Sequence, residues 1–135
     1  AWLGGLARGH AEAPLADANT LTRLARFALG FGVVQATLGA SLATLWGPSN
    51  AIALSAHLLT GLTTVALAIA LGIRLAAARI PIGVGLIAAA MLAPVAGTVS
   101  ALLDLSPFAA LVHPLCGAAT LALLARFNGR CAARQ

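Results

Sequence analysis

The chain is 135 residues long, 61% apolar and only 8% charged, with eight basic side chains that are all arginine. A mean hydropathy of +0.99 leaves too little polar surface for a water-soluble domain and points to an integral membrane protein. The net charge of +5 reads as a set of topology signals rather than a nucleic-acid surface, and the lack of lysine excludes a retinal Schiff base.

Residues 1–20 hold His10, Glu12, Pro14 and Asp17 and are too polar to span a bilayer. They lack the pattern of a signal peptide, and form an N-terminal segment that either rests on the membrane through Trp2, Leu3 and Leu6 or is disordered. Four apolar stretches follow, at residues 24–45, 50–73, 80–103 and 107–127, each near the 20 or so residues a spanning helix needs. The first link, Trp46-Gly47-Pro48-Ser49-Asn50, and the third, Asp104-Leu105-Ser106-Pro107, are short and carry turn residues. Ser49, Asn50 and Ser106 suit helix N-caps, and Pro107 suits a first turn. Such links favour antiparallel neighbours. The expected fold is an all-α integral membrane protein, a four-transmembrane-helix up-down bundle built from a duplicated helical hairpin. Its bundle covers residues 21–127, with a tail at 128–135.

Arg8, Arg23 and Arg26 precede the first span, Arg74 and Arg79 lie in the middle link, and Arg126, Arg130 and Arg134 follow the last. The other two links have no basic residue. The positive-inside rule then puts both termini and the middle link in the cytoplasm.

Two histidines stand inside spans. His57-Leu58-Leu59-Thr60-Gly61 and His113-Pro114-Leu115-Cys116-Gly117 read as copies, and an ionisable group within a bilayer usually marks a site. Glycine precedes each, Gly39 by 18 positions and Gly97 by 16. Spans two and four run in the same direction, so both imidazoles fall at similar depth, two turns in from the outer end. If these spans are diagonal, the rings can take the two axial positions of one haem iron. Gly61 and Gly117, with Gly39 and Gly97, leave room for a flat macrocycle. Thr60, Thr63, Ser55 and Ser100 are candidates to orient the rings. Gln35 is either interhelical glue or a cofactor contact, and Pro114 either aims His113 or is an ordinary kink. The bland reading of the same residues is hydrogen bonding and close packing between helices. Cys116 and Cys131 are expected as free thiols, and their spacing rules out the C-x-x-C-H of a covalent haem.

The run Gln35-Ala36-Thr37-Leu38-Gly39, a short outer link and Ala56-His57-Leu58 resembles the haem A synthase family. Ala96-Gly97-Thr98-Val99-Ser100 through Leu111-Val112-His113-Pro114 is a weaker echo. The resemblance covers about 105 residues and implies one compact four-helix half with ligand histidines on the second and fourth helices, toward the outer face. The chain departs from the family's catalytic half in two places. The glutamate one turn before the second-helix histidine is replaced by Ala53 or Leu54, and the arginine directly after it by Leu58.

These readings give a bis-histidine b-type haem protein, with haem O or haem A as further forms the resemblance allows. The role is haem A synthesis or oxidase assembly, or else electron transfer as a non-catalytic cytochrome subunit. A cofactor-free packing subunit and single-histidine chlorophyll ligation are the other readings. The partners are the lipid bilayer, haem, and further copies or subunits of a larger membrane complex; nucleic acid is not among them.

Overall fold

The computed structural model describes residues 18–47, 49–103 and 107–132. The expectations placed on residues 1–17, Pro48, Asp104, Ser106 and residues 133–135 lie outside these. Among the described residues the chain forms four α-helices and no strand: α1 (Ala18–Ser41), α2 (Ala51–Ala77), α3 (Ile82–Leu103) and α4 (Pro107–Ala132). All four are long and apolar enough to cross a membrane.

The α1–α2 and α2–α3 links each have a chemical cause. Helix α1 widens into a π-helical turn at Leu42–Trp46 and stops at Gly47, whose φ of +69° is costly for any residue with a Cβ. Asn50 then caps α2 as expected, its side chain accepting the Ala53 N–H at 3.0 Å. At the far end of α2 the Arg79 N–H reaches the Ala76 carbonyl and the Ile80 N–H the Leu75 carbonyl, both at 2.9 Å. This is a Schellman closure with Arg79, at φ +58°, where glycine is usual. Pro81 follows it and bars continuation.

The helices outrun the apolar stretches that announced them. Arg23 and Arg26 lie within α1 rather than before it, and Arg74 lies in the last turn of α2 rather than in the link. Helix α4 continues through Arg126 and Arg130. The reason is that hydropathy marks the membrane crossing, whereas the helix persists until a cap or a proline ends it. At 1.5 Å per residue, α2 is about 40 Å long, against roughly 30 Å of hydrocarbon. Helix α4 runs unbroken past Pro114, and α3 past Pro94.

Helix α1 neighbours α2 and α4, and α3 neighbours the same two. The helices therefore form a ring in which α2 and α4 are diagonal. Gly32 lies beside Thr64 of α2 and Leu121 of α4, while Gly39 meets His57 and Gly97 meets His113. Rising numbers on one helix meet falling numbers on the next, so adjacent helices are antiparallel.

The packed core lies in the half that carries the arginines. Leu21, Leu71, Leu75, Leu86, Leu124 and Phe127 are buried there around Ala25, Ala28, Ala68 and Ala90. At the same end α2 and α3 touch through backbone: a Cβ on Gly83 would stand 2.6 Å from the Gly72 carbonyl oxygen and from the Ala76 nitrogen. Asn128 adds a polar tie, donating to the Ala25 carbonyl at 3.2 Å and to Leu124 at 3.0 Å. The outward faces stay apolar, with Ile52 85% and Leu62 69% exposed. A bundle apolar both inside and out suits lipid surroundings.

Candidate functional site

His57 is six positions into α2 and His113 six positions into α4, about 9 Å along each helix. Both are half-buried. Because α2 and α4 are diagonal, the two rings meet across the bundle, with centres 6.3 Å apart and planes inclined by 69°. The sequence placed them at matched depth; the fold brings them together.

Each ring is seated on a glycine of the preceding helix. A Cβ on Gly39 would lie 2.9 Å from His57 Cε1, and one on Gly97 would lie 2.7 Å from His113 Nδ1. These two glycines leave room for imidazoles directly, whereas a macrocycle was the expected occupant. The room at Gly61 is taken by Gln35, whose amide nitrogen would be 2.8 Å from a Cβ there. Gly117 faces open space, with nothing within 4 Å of a Cβ.

The polar partners of the two rings differ. His113 donates its Nδ1–H to the Ala93 carbonyl at 2.7 Å, which leaves Nε2 with its lone pair. A ligand histidine is commonly fixed in this way, by a backbone acceptor on the far nitrogen. His57 is held at the other nitrogen: the Gln35 amide donates to Nε2 at 3.1 Å. The Thr60 hydroxyl donates to Gln35 Oε1 at 2.7 Å and also lies 2.8 Å from the Ala56 carbonyl and 3.1 Å from that of His57. His57 Nδ1 is buried without a hydrogen-bond partner.

Of the hydroxyls proposed from sequence to orient the rings, Thr60 acts on His57 through Gln35. Thr63 bonds the Leu59 carbonyl in its own helix, at 2.9 Å. Ser55 is exposed. Sequence reasoning missed the Ala93 carbonyl, because a backbone acceptor has no letter of its own. The available signal was position: Ala93 stands four residues before Gly97, as Gln35 stands four before Gly39. Cys116 is a free thiol.

Two imidazoles bound on opposite sides of one ion by bonds of about 2 Å have ring centres roughly 6 Å apart. The observed separation of 6.3 Å agrees with that figure and also with a direct edge-to-face contact between the two rings. Among the described residues no group of three or more His, Cys, Asp or Glu side chains gathers at one place. The two imidazoles by themselves would give an ion two ligands. Among the described residues His113 Nε2 has no hydrogen bond, whereas His57 Nε2 is engaged by Gln35.

No sequence family, curated protein or solved structure matches this chain in the comparisons made with each.

Proposed function

We propose that the chain is a membrane-integral haem-binding bundle in which His57 and His113 are the two axial ligands of one b-type haem. The observation that carries this is the pair itself: two imidazoles at equal depth on diagonal helices, 6.3 Å apart. A haem held this way supplies one-electron transfer when bound. The residues around it bind and orient. Ala93 fixes the His113 tautomer, Gly39 and Gly97 let the rings approach the neighbouring helices, and Gln35 with Thr60 holds His57.

The role favoured by these surroundings is that of a non-catalytic b-type cytochrome. The groups bonded to the rings are an amide and a backbone carbonyl, and neither is an acid or base suited to hydroxylating a haem methyl group. The second reading is a compact haem A synthase-like protein acting in haem A biosynthesis or oxidase assembly. It rests on the Gln35 to Gly39 run followed by His57, now that Gln35 is seen to touch His57. In either case the distribution of arginines supports a topology with both termini and the α2–α3 link in the cytoplasm and the histidines toward the outer face. The matched seats, Gly39 for His57 and Gly97 for His113, favour descent of the bundle from a duplicated hairpin.

The test is an absorption spectrum of the detergent-purified protein, oxidised and dithionite-reduced, with identification of the extracted haem. Sharp reduced α and β bands at one haem per chain are expected. Bound haem O or haem A favours the synthase, and haem B alone keeps the cytochrome role. A colourless protein that gains no spectrum from added haemin would leave a helix-packing subunit.

A further inference from the structure

The two histidines form an unequal pair. Among the described residues nothing bonds His113 Nε2, and Gln35 engages His57 Nε2. The Thr60 hydroxyl has one proton and three acceptors within reach. Thr37, Thr44, Thr63, Thr64 and Thr120 all give theirs to the carbonyl four residues back. If Thr60 does the same, the Gln35 amide turns over, donates to the hydroxyl and accepts from His57 Nε2–H. If it does not, the amide donates to His57 Nε2. In both arrangements Gln35 occupies Nε2. The nitrogen left over, Nδ1, is buried and would lie 3.4 Å from a Cβ on Gly39, against the backbone of α1. Among the described residues the corresponding position on α3 is Ala93, which offers His113 a carbonyl at Nδ1 rather than a side chain at Nε2.

We infer that Gln35 is a positioning residue that gates His57, so that His113 is the permanent ligand and His57 a slower, exchangeable one. Gly61 is part of the device, since its missing side chain is the space in which the Gln35 amide lies. His113 Nε2 would therefore be available to a haem iron first, and His57 Nε2 only once Gln35 and Thr60 let go. Because the inference rests on haem ligation by this pair, its test is built to separate the two.

The full chain, freed of haem in detergent, is titrated with haemin and followed in the visible region, while ¹⁵N spectra of the histidine side chains report on the metal-free protein. Wild type is expected to pass from a high-spin, five-coordinate species to a low-spin, six-coordinate one in a resolved second step. Gln35→Leu speeds that step by roughly threefold to tenfold, the worth of one hydrogen bond. Thr60→Val, which keeps the side-chain shape, gives a smaller change of the same sign. Gln35→Leu also shifts the His57 Nε2 resonance and leaves that of His113 in place. His57→Ala retains haem in the high-spin form, whereas His113→Ala loses it. If haem binds and the second step is equally fast in wild type and both Gln35 and Thr60 variants, the gate is wrong and the haem reading stands. Equal loss of haem in the two histidine variants also overturns the gate. Failure of every form to bind haem removes the haem reading and the gate with it. The ¹⁵N shift then says whether the Gln35–His57 bond exists as a structural clamp alone.

Discussion

The two ends of this bundle are built on different principles. At the arginine-bearing end, Leu71, Leu75, Leu86 and Leu124 are fully buried and α2 meets α3 backbone to backbone at Gly72 and Gly83. At the other end the central side chains among the described residues are His57, His113, Gln35 and Thr60, all half-buried, and Gly39, Gly61 and Gly97 receive side chains rather than backbone. Lipid supplies no hydrophobic force between helices, so association depends on close packing and interhelical hydrogen bonds. One end supplies the packing, and the other is left free to hold polar groups at a chosen depth. The lesson is a division of labour along a single set of helices.

That division can be broken or sharpened by substitution. The largest effect is expected from His113→Ala. It should weaken haem retention by more than the tenfold to hundredfold typical of losing a supporting partner, with the thermal melt of the haem-free protein nearly unchanged. Next comes Leu71→Ala in the packed half, which opens a cavity worth about 2–5 kcal/mol. Denaturant titration should show the loss, while the haem spectrum keeps its band positions. Gly97→Ala is smaller and falls on the other side of the comparison. Its Cβ would press on His113 Nδ1 at 2.7 Å and strain the bond to Ala93. The expected result is weaker haem binding by about tenfold, as when a group that orients a ligand is lost, at little cost to the melt. The least change is expected from Asn50→Ala, which removes the α2 cap and lowers stability by about 1 kcal/mol. A spectrum altered by Leu71→Ala as strongly as by Gly97→Ala would erase the distinction between the halves.

Much of this was legible in the chain. Four apolar stretches between short turn-rich links were enough to give four helices, and the Asn50 cap was readable from its residue type and place. The histidine pair was legible because ionisable groups in a span stand out and their local sequences repeat. The helix ends were not, since α2 and α4 continue through arginines that hydropathy treats as boundaries. Nor were the Gly72–Gly83 approach and the Asn128 tie. Fourteen glycines look alike in a sequence, and only the register of two helices decides which of them meet. Gln35 was noticed without a partner; that partner depends on the same register, which brings position 35 beside positions 57 and 60.

The central claim is that His57 and His113 serve one ion together. The most direct measurement is the electron paramagnetic resonance spectrum of the oxidised, haem-loaded protein and its two single-histidine variants. A low-spin ferric signal in wild type is predicted, giving way to a high-spin signal in His57→Ala and to loss of bound haem in His113→Ala. An unchanged low-spin signal in both variants would contradict the account, because the iron would then be held by other ligands.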